Sequence, residues 1–81
     1  MQQYMMQVRS ATVGLPWECK FEMASDEMAK DYVSRHAKQF VGVSWFMSLM
    51  LWRRNRFSKE DWRPVAEFGL NEPTVKEIVA R

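Results

Sequence analysis

Twelve consecutive residues, Val41 to Trp52, carry no charge, and the chain then turns abruptly basic at Arg53, Arg54 and Arg56. A run this apolar has to be buried on most of its sides, because apolar surface left in water costs about 25 cal/mol per Å². The guanidinium groups that follow mark where the burial stops. Membrane-spanning helices need about 20 apolar residues, so the run is too short to cross a bilayer and reads as a core segment. As a strand, Val43, Trp45, Met47, Leu49 and Leu51 face one way and Phe46, Met50 and Trp52 the other, as in a central strand covered on both sides. As a helix it would be capped by Ser44, and Met and Leu favour that form. The strand is preferred because a lone hairpin is marginal and needs a third strand.

That hairpin is read from the first 23 residues. Tyr4 to Val13 mixes apolar and isolated polar residues, Gly14-Leu15-Pro16 punctuates a turn, and Trp17 to Met23 alternates cleanly. Trp17, Cys19, Phe21 and Met23 share one face, while Glu18, Lys20 and Glu22 share the other. Ser25-Asp26-Glu27 then supplies a helix cap and first-turn acids. The spacing of Met28, Ala29, Tyr32, Val33, His36, Ala37 and Phe40 predicts an amphipathic helix from about Asp26 to Phe40, ended near Gly42. In the tail, Ser58-Lys59-Glu60-Asp61 reads as another cap, with Pro64 and Gly69 as interruptions. Asn71 caps a last helix from Glu72 to about Ala80, with Pro73 in the tolerated first turn.

The expected architecture is therefore a single α+β domain over residues 1–81: a β-hairpin, an amphipathic helix, a third strand, then short carboxy-terminal helices. The long helix would cover one face of the sheet and the tail the other. The expected core is Tyr4, Met6, Val8, Trp17, Cys19, Phe21, Met23, Met28, Tyr32, Val33, His36, Phe40, Trp45, Met47, Leu49, Leu51, Val75 and Ile78.

Chemistry is thinly supplied. Cys19 is the single cysteine and His36 the single histidine, so neither a disulfide nor a Cys/His zinc site is expected. A free thiol fits a reducing compartment, and Met1 to Tyr4 lack the charged start of a secretory signal, so a cytosolic location is expected. A Cys19–His36 dyad is geometrically conceivable, but a buried thiol and a core histidine account for the same residues. Glycines 14, 42 and 69 stand alone and form no phosphate loop, and the carboxylates lie on solvated faces. No catalytic residue, metal or cofactor is expected.

The charge is more telling. Residues 1–52 hold five basic and five acidic side chains, whereas residues 53–81 hold seven and five, which accounts for the net +2. One basic knot in an even field suggests a local contact. Trp52, Arg53, Arg54, Arg56, Phe57, Trp62 and Arg63 are the candidate partner-binding residues, since Arg and Trp are enriched at binding hot spots.

Val65 to Val79 also resembles the helix-turn-helix of bacterial repressors, with turn glycine Gly69, apolar Leu70 behind it, and Val75 and Ile78 six and nine residues beyond the glycine. The resemblance implies a nucleic-acid-binding regulator that uses the carboxy-terminal helices and the Arg53–Arg56 cluster. Pro64 interrupts the first of those helices, however, and Glu72 and Glu77 would meet phosphates. The first expectation is accordingly a non-enzymatic protein that regulates or inhibits a protein partner, as small phage and mobile-element chains do. Nucleic acid is the alternative partner, and self-association through a sheet edge uses the same apolar surplus.

Overall fold

The structure is a computed structural model that describes residues 1–10, 17–54, 61–71 and 74–80. Five strands form one antiparallel sheet: β1 (Gln2–Ser10), β2 (Glu18–Met23), β3 (Phe46–Arg54), β4 (Trp62–Asn71) and β5 (Thr74–Ala80), in the order β2-β1-β3-β4-β5. Helix α1 (Asp26–Ala37) connects β2 to β3 and carries the chain over β1, so that β1 lies between them.

Strands β1 and β2 pair antiparallel as the expected hairpin requires, its turn at Gly14-Leu15-Pro16 lying outside the described residues, and the helix starts where the sequence places it. Tyr4, Met6 and Val8 alternate along β1 and pair with Phe21, Cys19 and then Leu49 of the flanking strands. Helix α1 opens at Ser25, whose Oγ accepts from the Met28 N–H at 3.2 Å, with Asp26 and Glu27 in the first turn. Removing that acceptor in Ser25→Ala is expected to cost about 1 kcal/mol, read as a loss of thermal stability; an unchanged melting curve would refute the cap. The helix seals the sheet with Ala29, Val33 and Ala37, one turn apart and all fully buried. It tightens into a 3₁₀ turn over Lys38–Phe40, and Gly42 then takes a φ of 83°, a backbone region that side chains resist. Phe40 stacks on Phe46 with ring centroids 4.5 Å apart, which fixes the entry into β3.

Two expectations are corrected. The tail holds no short carboxy-terminal helices in its described residues: 62–71 and 74–80 are strands β4 and β5, which extend the sheet beyond β3. The helix-turn-helix likeness over Val65–Val79 therefore has no helices to rest on. Pro64, which punctuates like a helix breaker, instead lies beside a bulge: Leu51 pairs with Ala66 and Trp52 with Pro64, leaving Val65 as the extra residue. Gly69 lies under Ile78, whose Cδ1 would stand 2.5 Å from any Cβ placed there. The cap at residues 58–60 lies outside the described residues.

The second correction concerns layering. Because the tail joins the sheet, the described residues cover one face only, with α1. Against that face pack Tyr4, Met6, Val8, Leu49, Leu51, Ala66 and Phe68, with Cys19, Phe21, Met23, Tyr32 and Val75 at the margins. Four expected core residues are exposed instead: Trp17 at 45%, Met28 at 54%, Met47 at 52% and Ile78 at 52%. Each has a geometric reason. Trp17 precedes edge strand β2, and Met28 is one position off the alanine–valine seam of α1. Met47 and Ile78 are bulge residues, skipped between Ser48 and Phe46 in one register and between Val79 and Glu77 in the other.

Candidate binding face

The described residues place no second layer on the sheet face away from α1, and the composition of that face follows from the registers. Glu22 pairs with Gln3, and Arg54 with Trp62, with the Arg54 Nη1 donating to the Gln3 amide oxygen to join the two pairs. The next row is Lys20, Met5, Trp52 and Pro64. Beyond it come Glu18, Gln7, Met50 and Glu67. Met5 and Met50 are buried even though they face away from the helix.

Hydrogen bonds tie this face across its strands. The Trp52 Nε1 donates to Gln7 Oε1 at 3.2 Å. Glu67, buried but for 7% of its surface, accepts from Ser48 Oγ at 2.5 Å and from Arg9 Nη1 at 3.1 Å. A carboxylate at that depth needs those partners, since an unpaired buried charge is strongly unfavourable. The Lys20 ammonium stands over the Trp62 ring, 5.9 Å from its centroid. Gln3, Lys20, Glu22, Arg54 and Trp62 line a cleft of about 340 Å³.

The residues expected to form one basic cluster are separated by strand alternation. Trp52 and Arg54 face the open side, together with Trp62. Arg53 faces α1, and its Nη1 donates to Asp26 Oδ2 at 2.8 Å, while the Tyr4 hydroxyl donates to Asp26 Oδ1 at 2.6 Å. Asp26 therefore joins the helix start to β3 through Arg53 and to β1 through Tyr4. Arg63 is exposed beside Asp61 at 3.6 Å. Arg56 and Phe57 lie outside the described residues. Gln3, Gln7 and Lys20, which local sequence did not single out, join the face because β1 and β2 pair in this register.

Cys19 and His36 have structural occupations. The Cys19 thiol donates to the Lys20 carbonyl at 3.8 Å, and the His36 ring meets Tyr32 edge-on with centroids 4.5 Å apart. Among the described residues no group of three or more His, Cys, Asp or Glu is placed to hold a metal ion, and no helix is long and apolar enough to cross a membrane. Comparison with known protein families, with curated proteins and with solved structures finds no match.

Proposed function

We propose that the chain is a non-enzymatic binding protein that regulates or blocks a protein partner, and that it docks through the open face of its sheet. The observation that carries this reading is the convergence of half-buried Trp52, Trp62 and Pro64 with Lys20 and Arg54 on the face that the described residues leave open. Large aromatics with arginine at the centre of a patch are the residues that dominate binding energy. Rigid cross-strand hydrogen bonds hold Trp52 before any partner arrives, which lowers the entropy lost on docking. A protein suits the face better than a nucleic acid, because exposed Glu18 and Glu22 lie beside the cations and would repel a phosphate backbone. A reducing cytosol, where the Cys19 thiol persists, fits the same reading.

Affinity capture from the native host, with the recovered protein identified by mass spectrometry, tests it. The wild-type chain is expected to retain a defined protein. Trp52→Ala and Trp62→Ala, checked to be folded, should each weaken that complex by about 2 kcal/mol. Met28→Ala, on the outer side of α1, should leave it intact. A partner held equally well by both tryptophan variants, or lost with Met28→Ala, would overturn the assignment of this face.

A further inference from the structure

We infer that the cleft between Lys20, Arg54 and Trp62 accepts an acidic segment of the protein partner, a carboxylate held between the two cations with its apolar stem against the indole. The inference rests on the protein-binding reading above and names the chemistry that the partner brings.

Most cations of the described residues are satisfied within the chain. Arg9 is paired with Glu67, Lys30 with Glu77, Arg35 with Asp31, Arg53 with Asp26 and Arg63 with Asp61. Lys20, Lys38, Arg54 and Lys76 have no carboxylate partner among the described residues, and of these Lys20 and Arg54 line one cleft. Among the described residues Lys20 is held by the Trp62 ring and Arg54 by the neutral Gln3 amide, neither of which neutralises a charge. The two meet at one cleft, although they start from β2 and β3. Guanidinium presents five donors in a planar fork, and a single amide oxygen leaves most of them available to a carboxylate. The cleft's volume of about 340 Å³ lies at the lower end of ligand-binding pockets, enough for one or two side chains.

A second concavity, about 380 Å³ beside α1, is a useful contrast. It is lined by Met23, Glu27, Met28, Asp31, Tyr32 and Arg35, and there Arg35 is already bound to Asp31 at 3.0 Å. Its cation is spent on its own helix, so nothing in it recruits an anion. Glu22 sits on the rim of the Lys20–Arg54 cleft and limits what enters. One or two carboxylates satisfy the cations, whereas a longer run of negative charge meets Glu22 and then Glu18 along β2. That limit favours a short acidic peptide over a polynucleotide, whose phosphates repeat without a gap.

The test is an NMR titration of the full 81-residue chain, ¹⁵N-labelled and at low salt, with the blocked peptide acetyl-Gly-Glu-Phe-Glu-Gly-amide. Shifts are expected at the Trp62 indole N–H and at the Gln3, Lys20 and Arg54 amides, and they should fade as salt is raised. Arg54→Ala and Lys20→Ala should each weaken binding about fivefold while leaving the melting temperature unchanged, since both side chains end in solvent. Lys20→Glu should abolish binding. Equal shifts from the glutamine version of the peptide, shifts confined to α1, or no shifts at all would overturn the inference. So would tighter binding of an octathymidylate, which would assign the cleft to nucleic acid. Failure of the inference is distinguishable from failure of the docking face. A captured partner lost with Trp52→Ala, but retained by the Lys20→Glu/Arg54→Ala double variant, leaves the face standing and removes the acidic segment.

Discussion

Leu51→Ala is expected to destabilise the chain by about 3 kcal/mol, within the range for leucine truncation in a core that cannot collapse. Leu51 is fully buried on β3, the middle strand of the sheet, with Met6 of β1 on one side and Ala66 of β4 on the other. Ala66 is too small to close the void, and the backbone of a central strand is held by hydrogen bonds on both edges. A chain of this length has roughly 4 to 12 kcal/mol in total, so the variant should melt lower by some 10 to 20 °C. Met28→Ala supplies the contrast: it removes a side chain of similar size that is 54% exposed, and its melting temperature should barely move. Chemical denaturation of the two variants side by side decides the matter. A Met28→Ala loss as large as that of Leu51→Ala would mean that the layer between α1 and the sheet is wrongly assigned.

Leu51 was legible in the sequence and Met28 was not, and the difference is physical. In a strand the side chains alternate, so the two-sided pattern of residues 48–52 carries into β3, whereas the bulge at Met47 breaks it. On α1 the buried seam is one alanine wide at either end, and a neighbouring methionine is as apolar as its surroundings demand without being inside. The tail was illegible for another reason. Val65 to Gly69 are five buried residues in a row, with Val65 a bulge residue, so the period of two that announces a strand is absent there. Pro64, Gly69 and Pro73 then read as helix punctuation. The missed signal was in β5, where Thr74, Val75, Ile78 and Val79 are β-branched.

The site divides in the same way. Arg53 and Arg54 are adjacent in sequence and look like one basic patch, yet a strand sends adjacent side chains to opposite faces. Strand alternation over residues 43–54 implies that separation, although the expected site groups Trp52, Arg53, Arg54 and Arg56 as one patch. What local sequence could not contain was the register between strands. Gln3, Gln7 and Lys20 reach Trp52, Arg54 and Trp62 only because β1 inserts between β2 and β3. Asp26 illustrates the converse: its position in the first turn of a helix explains an acid there, and conceals that the same carboxylate holds two strands.

That second role makes Asp26→Ala the other large effect, an expected loss of about 2 to 4 kcal/mol. Three contributions add. The Tyr4 hydroxyl, on a fully buried side chain, loses its acceptor, which costs about 1 to 3 kcal/mol. The Arg53 ion pair contributes up to about 1 kcal/mol, because its side chains are 42% and 36% exposed and water screens them. The favourable interaction with the helix dipole adds about 0.3 to 1 kcal/mol. Tyr4→Phe removes only the hydroxyl and should cost less, about 1 kcal/mol. The pair also sets a pH dependence. Burial foremost, then the hydrogen bond to Asp26 and its negative charge, push the Tyr4 phenol far above its ordinary value near 10, against the opposing pull of Arg53. The unfolded tyrosine ionises above about pH 10 while the folded one stays neutral, so this stability is intact below pH 10 and falls as the pH climbs past it. Urea denaturation at pH 8 and pH 11 should show wild type losing more stability between the two than Tyr4→Phe does. Equal losses in the two proteins would show that the phenol is not held neutral, and that Asp26 does not join β1 and β3 to the helix as the geometry requires.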